Sequence, residues 1–475
     1  MFGLERFLGR DAAKTLKNDK DAIAGLLKTD RAALEAFESA YAKHALSEAD
    51  DNFFHVNSRA ASGQRTEAAL SDATDEEVAK AGALVERIVA ELMSQTSVYR
   101  FDGKLGQVHR PLALPAGTAM VSNDDLKGLP TYLRPELTGE LMKVDINVPS
   151  YQAILGDYER AMNETDPKKR KSFYAQFRAG LDILDLDEIT YRIIGTNKNS
   201  MGYWLPALVE ACRSLDFFRI PATSIARVPL TLLQLTRQEY SALTPTTIQI
   251  VDRWAYEVFK LDEQKEYFIK TGTYSSKFDY RNAHVHEAKE VRELGEYLLY
   301  IHYQALCMAH YTVKPHPIYG VSTTNEWVVR EYIPDKEDNP CIYHGMPLHT
   351  EYRVFVDCDT AEVIGIAPYW DPETMLKRFS AGGNIHEAHD YVIYKAHEET
   401  LMQRYEENKD QVIAHIRELL PRLNLAGQWS IDVMQNGGDF WLIDMALAEQ
   451  SAFYDRVPPE LRRPTKEDWI PKLTD

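Results

Sequence analysis

The sequence predicts an α+β protein in two parts: a mainly helical region over residues 1–215 and a mixed domain over residues 216–475. Three observations lead there. Helical apolar spacing dominates the first two hundred residues, β-rich runs take over after about Leu215, and helices then interleave with hairpins rather than following strict βαβ alternation. A length of 475 residues suits two or three domains at roughly 150 residues each.

In the first part Leu34, Phe37 and Tyr41 recur at helical spacing. A longer stripe of Val78, Ala81, Val85, Ile88 and Leu92 follows Thr74-x-x-Glu77, a capping-box pattern. Between Gly103 and Pro149 periodicity gives way to five prolines, which predicts a long irregular connection draped over a domain. Asp166-Pro167 opens another helix, and the following Lys168-Lys169-Arg170-Lys171 reads as its solvated start. In the second part, strands are expected at 224–229, 266–271, 327–333, 350–357, 362–368, 429–435 and 440–445. Helices are expected from Thr244-Pro245, over Ala288 to His310, and over Glu398 to Leu420.

Composition narrows the function classes. Hydrophobic residues make up 44% and aromatics 11%, an ordinary globular balance. With 54 Lys plus Arg against 72 Asp plus Glu the net charge is −18, which disfavours non-specific nucleic-acid binding. No apolar run approaches the ~18 residues of a membrane span. The start, Met1 to Phe7, lacks a basic segment followed by a long apolar one. Four scattered cysteines without a C-x-x-C pair fit a reducing cytoplasm.

Several catalytic signatures are missing: no P-loop, dinucleotide fingerprint, H-E-x-x-H or G-x-S-x-G. His386-x-x-His389 lacks the metalloprotease glutamate, and His284-x-His286 has nothing nearby to complete a tetrahedron. Four blocks in the second half carry chemistry instead. The first is Tyr267-Phe268-Ile269-Lys270, a cation leaving an apolar strand into the loop Thr271 to Lys277, where Ser275, Ser276 and Lys277 could meet phosphate oxygens. Alone, Lys270 would read as a snorkelling edge lysine. The second is Trp327 to Pro334, whose Arg330-Glu331-Tyr332 break could offer backbone groups to an adenine edge and turn Arg330 toward phosphates.

The third block is Glu351 to Asp357. Alternation puts Glu351, Arg353 and Phe355 on one face, and a guanidinium there suits bidentate phosphate contact. The fourth is a hairpin with Asp432 and Asp444 inside apolar strands, where ionised carboxylates are expensive unless compensated. A shared Mg²⁺ would remove that cost, provided both aspartates lie on one face. That condition predicts an odd number of loop residues, with a glycine bulge. The other reading is two aspartates bonded to backbone groups.

In this order the blocks resemble an ATP-grasp domain, and they are most similar to the cell division cycle protein 123 family, a eukaryotic assembly factor for translation initiation. The marks are Phe268-Ile269-Lys270, Ser275-Ser276, Val329-Arg330-Glu331, Glu351 to Val356, Gly365-Ile366, Ile431-Asp432-Val433 and Trp441 to Asp444, spanning roughly residues 216 to 456. The resemblance implies Lys270 and Arg353 on the ATP phosphates, the Arg330–Tyr332 hinge near adenine, and Asp432 and Asp444 on Mg²⁺. It also marks a departure. The family's asparagine, two residues after the last metal aspartate, is Ala446 here and the following proline is Leu447, so a third protein ligand is missing unless Glu449 or Gln450 moves in.

The function implied is an ATP- and Mg²⁺-dependent carboxylate–amine or carboxylate–thiol ligase working through an acylphosphate. The alternative is an ATP-binding assembly chaperone without turnover, its partner being another protein; a small-molecule phosphotransferase is a third reading. A ligase needs an electropositive acceptor pocket, for which Lys277, Arg281, Lys377 and Arg378 are candidates.

Overall fold

The computed structural model describes residues 73–103, 108–109, 123–135, 148–183, 186, 188–237, 243–310, 320–380 and 385–463. The expected helix around Leu34 to Tyr41 and most of the connection from Gly103 to Pro149 lie outside the described residues. What is described is mixed α+β with helices predominating in its N-terminal part. No described helix is long and apolar enough to cross a membrane.

Two sheets organise the molecule. The first runs β2-β1-β4-β7-β5-β6 and is antiparallel throughout. Its strands are β1 (Ser97–Phe101), β2 (Val108–His109), β4 (Thr223–Arg227), β5 (Tyr267–Thr271), β6 (His284–Val285) and β7 (Glu326–Glu331). The second runs β11-β10-β12-β13-β3, from β3 (Phe218–Arg219), β10 (Thr350–Asp357), β11 (Glu362–Pro368), β12 (Gln428–Asn436) and β13 (Asp439–Leu447). A small ladder joins β8 (Cys341–Ile342) to β9 (Met346–Pro347).

Three of the expected helices begin at the capping residues the sequence marks. Thr74 caps the helix Asp75–Gln95: its hydroxyl accepts the Glu77 N–H, and the Glu77 carboxylate accepts the Thr74 N–H at 2.9 Å. Asp166 accepts the Lys168 and Lys169 N–H groups ahead of the helix Pro167–Ile183. Thr244 does the same for Thr247 at the start of Pro245–Phe259.

Three expectations need correction. The stretch Ser97–Phe101, read as part of a helical region, is a strand, because each of its five residues pairs with one of β4 in an antiparallel ladder. The single helix expected over Ala288 to His310 is two, Ala288–Arg292 and Leu294–His310. It breaks at Glu293, where the Asp252 carboxylate caps the new helix by accepting the Glu296 N–H at 2.6 Å. Gly295 makes that approach feasible, since a Cβ there would lie 2.3 Å from the Val251 carbonyl oxygen. The helix expected from Glu398 already starts at Ile385 and runs to Leu419.

Two large cores result. One joins the helix Asp75–Gln95 to Pro245–Phe259, Leu294–His310 and one face of the first sheet. The other lies under the second sheet, fed by Tyr99, Phe101, Ile225 and Val328 of the first sheet, the helix Met201–Cys212, and the later half of Ile385–Leu419. Both draw residues from either side of 215, so the division at 215/216 does not separate two cores.

His302 shows how tightly the first core is specified. It is buried, accepts the Trp327 indole N–H on Nδ1 at 3.1 Å, and faces the Ser322 carbonyl with Nε2 at 3.2 Å. Accepting the indole N–H requires a neutral ring, and burial pushes its pKa down to about 3. An unfolded histidine titrates near the ordinary value, so the unfolded chain binds the extra proton first and stability falls as pH drops below about 6.5. Chemical denaturation from pH 7 to 5 should show wild type losing up to about 1.4 kcal/mol per pH unit relative to His302→Gln, whatever the common acid effects. Parallel pH profiles for the two proteins would show that His302 is not held neutral.

Candidate functional site

The two sheets face each other across a cavity of about 170 Å³. On β5, Ile269 enters the first core while Lys270, its neighbour, points the other way into the cavity. The loop after it is locked: Gly272 donates to the Glu326 carbonyl and accepts the Met201 N–H at 3.0 Å. A Cβ at Gly272 would sit 2.4 Å from the Thr324 hydroxyl, so only glycine allows the strand to turn here. On β10 the expected alternation holds. Tyr352, Val354 and Val356 enter the second core, Glu351 and Arg353 line the cavity, and Phe355 packs with Ile364, Ala448 and Val457.

The carboxylate pair is built in an unexpected way. The turn of the β12–β13 hairpin is even, not odd: Gly437 and Gly438 separate the pair Asn436 and Asp439. Only the first turn residue, Gly437, has a positive φ, 62°, as a type II′ turn requires. That register holds to Val433 opposite Leu442, and would put Asp432 and Asp444 on opposite faces. A bulge then intervenes, Ile443 becomes the extra residue, and Asp432 pairs directly with Asp444. Ile443 and Asp444 both line the cavity in consequence.

Each carboxylate meets a cation. Arg353 binds Asp432 through two bonds, Nε to Oδ1 at 2.8 Å and Nη2 to Oδ2 at 2.6 Å. Burial works against the Arg353 charge, but Asp432 outweighs it and holds the guanidinium pKa above its ordinary value. Lys270, 3% exposed, lies 3.3 Å from both oxygens of Asp444, which is 41% exposed. Beyond them sits a second pair. Burial pushes the Lys277 ammonium down and the Glu351 carboxyl up, each opposed by the other's charge. Both cations pack on the Tyr369 ring, with Lys277 Nζ 4.0 Å and Arg353 Cζ 4.8 Å from its centroid.

The other end of the cavity is apolar and aromatic, walled by Phe268, Tyr280, Tyr332, Met346, Pro347 and Met434. The Tyr332 ring stacks on His284 at 3.8 Å, and the His284 Nε2 lies 2.8 Å from Glu266. A flat head group at this end and a polyanionic tail among the cations would match the lining. Asp432 and Asp444 could hold a divalent cation between them, since Mg²⁺ commonly takes one or two carboxylates and completes its shell with phosphate and water. Among the described residues no set of three or more His, Cys, Asp or Glu forms a metal cluster.

Several expected site residues sit differently. Ser276 is buried in a left-handed conformation with its hydroxyl on Gln304, so of the loop's 275–277 segment only Ser275 and Lys277 line the cavity. The Glu331 and Tyr332 N–H groups are bonded to the Ala222 and Glu266 carbonyls, which removes them from any base edge. Arg330 lines the cavity but its guanidinium is bonded to protein carbonyls, Ile443 at 2.6 Å and Leu442 at 3.4 Å, not turned toward a phosphate position. Of the four acceptor-pocket cations, Lys277 alone lines the cavity. Lys377 is exposed on Glu373 and Arg378 stacks on Phe278. Neither Glu449 nor Gln450 lines the cavity, and the Gln450 carbonyl accepts from Asn199 at 2.6 Å. Tyr369 and His349 line it without having been singled out, because aromatic packing on a cation carries no fixed sequence spacing.

No protein-family model and no curated protein matches the chain. Among solved structures it is similar to Cdc123 from Schizosaccharomyces pombe at 15% identity and a TM-score of 0.32, covering 56% of this chain and 93% of that one. A C-terminally truncated form of Cdc123 from the same organism matches with the same identity and TM-score, over 59% and 96%. At that level neither a fold name nor an activity transfers.

The Arg353–Asp432 pair yields a direct test, because its side chains are 13% and 8% exposed. Arg353→Met leaves a buried carboxylate without its partner and should destabilise the fold by about 3–5 kcal/mol. Arg353→Met with Asp432→Asn should recover most of that in urea denaturation. Additive losses in the double variant would show that the two groups are not energetically coupled.

Proposed function

We propose that this chain binds ATP with Mg²⁺ in the cavity between its sheets, in the manner of an ATP-grasp domain, and joins a carboxylate to an amine or thiol. The observation that carries the reading is the opposed pair Asp432 and Asp444, each matched to a cation of the cavity wall, Arg353 and Lys270. These four groups can exchange partners when Mg²⁺ and a triphosphate enter. The carboxylates turn to the metal, and the ammonium and guanidinium turn to phosphate oxygens. Phe268, Tyr280, Tyr332, Met346 and Met434 then enclose the base. With the hinge N–H groups at Glu331 and Tyr332 already used, base recognition rests on these apolar walls.

The chemistry follows from the charges. An oxygen of the acceptor carboxylate attacks the γ-phosphorus, the bond to the β-phosphate oxygen breaks, and ADP leaves. An amine or thiol then attacks the acyl carbon, the carbon–oxygen bond to phosphate breaks, and phosphate departs. Mg²⁺ would neutralise charge on the transferred group. Lys270 and Arg353 add to that from the protein side. Lys277, beside Arg353 and Glu351, supports an anionic acceptor.

One observation favours a second reading, an ATP-binding chaperone without turnover. Ala446 brings no ligand to the metal, and neither Glu449 nor Gln450 lines the cavity to replace one. A thermal-shift titration with ATP, with and without Mg²⁺, tests binding, since only ligands of the native state raise the midpoint. Phosphate release across amino acids and small carboxylates then separates ligase from chaperone.

Two substitutions sharpen the test by calorimetry. Asp444→Asn should remove the Mg²⁺-dependent part of ATP binding and leave the fold intact; wild-type MgATP affinity would exclude Asp444 from the site. Lys270→Ala should weaken ATP by about tenfold, roughly 1.4 kcal/mol, with adenosine little changed. Equal losses for ATP and adenosine would mean structural damage instead.

A further inference from the structure

The proposed metal site depends on a bulge that the turn does not supply. From Asn436 opposite Asp439 to Val433 opposite Leu442 the hairpin is regular, and one more regular step would place Asp432 opposite Ile443. Asp444 would then share the face of Phe440 and Leu442, which lies in the second core. The extra residue Ile443 prevents this, but a bulge takes its carbonyls out of the ladder, and buried carbonyls need donors. The donor comes from the other sheet. Arg330, 4% exposed, gives Nη1 to the Ile443 carbonyl at 2.6 Å and Nη2 to the Leu442 carbonyl at 3.4 Å. Its Nε is held at 3.3 Å from the hydroxyl of Thr223, its ladder partner on β4.

We infer that Arg330 is the positioning residue of the carboxylate pair: by bonding the bulge carbonyls across the gap between the sheets, it keeps Asp444 on the same face as Asp432. Three of its five N–H donors are engaged by protein. Arg330 therefore acts on the metal through Asp444 rather than by touching nucleotide. Burial lowers its pKa only to about 10, so it remains charged at neutral pH and faces the Asp444 carboxylate. The arrangement also makes the site a property of both sheets, because the residue that shapes the β13 bulge is rooted in β7. The assignment rests on the MgATP reading above.

The sequence of β13 offers a test that a general structural role would not pass. Deleting Ile443 removes the bulge and leaves every other pair of the hairpin in place. Asp444 then falls opposite Asp432 in an unbroken ladder, and Leu442, Asp444 and Met445 alternate core, cavity, core. In that background Arg330 has no bulge to hold. ATP affinity is measured by calorimetry with and without Mg²⁺, and the ratio gives the metal enhancement. In the otherwise native chain, Arg330→Met should lower that enhancement by about tenfold, the usual scale for a group that orients a metal ligand. Metal-free ATP affinity should stay within about twofold, because no phosphate contact is lost. In the Ile443-deleted chain the same substitution should change the enhancement by less than about twofold.

Equal losses in both backgrounds, or a matching loss of metal-free ATP affinity, would overturn the inference and return Arg330 to the nucleotide. If Arg330→Met alone does not fold, the combined variant decides. A folded, Mg²⁺-responsive combined variant supports the assignment, and an unfolded one overturns it. A wild-type protein that binds ATP without any Mg²⁺ enhancement would remove the metal reading itself, and this assignment with it.

Discussion

Charge between two sheets has to be compensated within the space they enclose. Asp432 lies only 8% exposed on a strand whose other face is apolar core, and Arg353 is nearly as enclosed. Either charge alone would be costly to bury, and the guanidinium fork offsets that cost by matching the carboxylate with two bonds. The rest of the site answers the same demand. Lys270 meets Asp444, the charges of Lys277 and Glu351 favour each other, and both Lys277 and Arg353 pack on the Tyr369 ring. On the proposed MgATP reading, such pairs would admit a metal and a polyanion by trading partners rather than by creating new unpaired charge.

That balance requires both sheets at a fixed spacing. The first contributes Lys270 and Arg330, the second Glu351, Arg353, Asp432 and Asp444. Beside the polar contacts, Val328 and Ile225 of the first sheet pack into the core beneath the second, so apolar burial sets the separation that the cations bridge. Segments before residue 215 belong to this frame: β1 extends the first sheet, and the helix Met201–Cys212 is fastened to the loop after Lys270 through the Met201 N–H on the Gly272 carbonyl. These described segments are thus structural partners of the cavity.

The departure at Ala446 acquires a physical setting. It pairs with Ser430, while Gln450 is held by Asn199, whose own carbonyl accepts the Leu447 N–H at 2.8 Å. The strand end after Asp444 is therefore tied down by Asn199 of the N-terminal half, and neither Glu449 nor Gln450 lines the cavity. This is the feature on which the ligase and chaperone readings divide.

The sequence carries in plain view the strands that line the cavity, the caps of the principal helices, and the split of β10 into a core face and a charged face. Each depends on local period, on capping chemistry or on the cost of burying charge, and all three are written in neighbouring residues. It also held an unused sign of the bulge: apolar core positions run at Phe440 and Leu442 and then at Met445 and Leu447, a slip of one in the two-residue period. How that slip is stabilised is not legible there, because the donor on Arg330 comes from a strand more than a hundred residues away. The same holds for the hinge N–H groups taken by Ala222 and Glu266, for Ser276 turned to Gln304, and for Tyr369 in contact with two cations. Long-range partners are chosen by packing, and packing leaves no spacing in the chain to read.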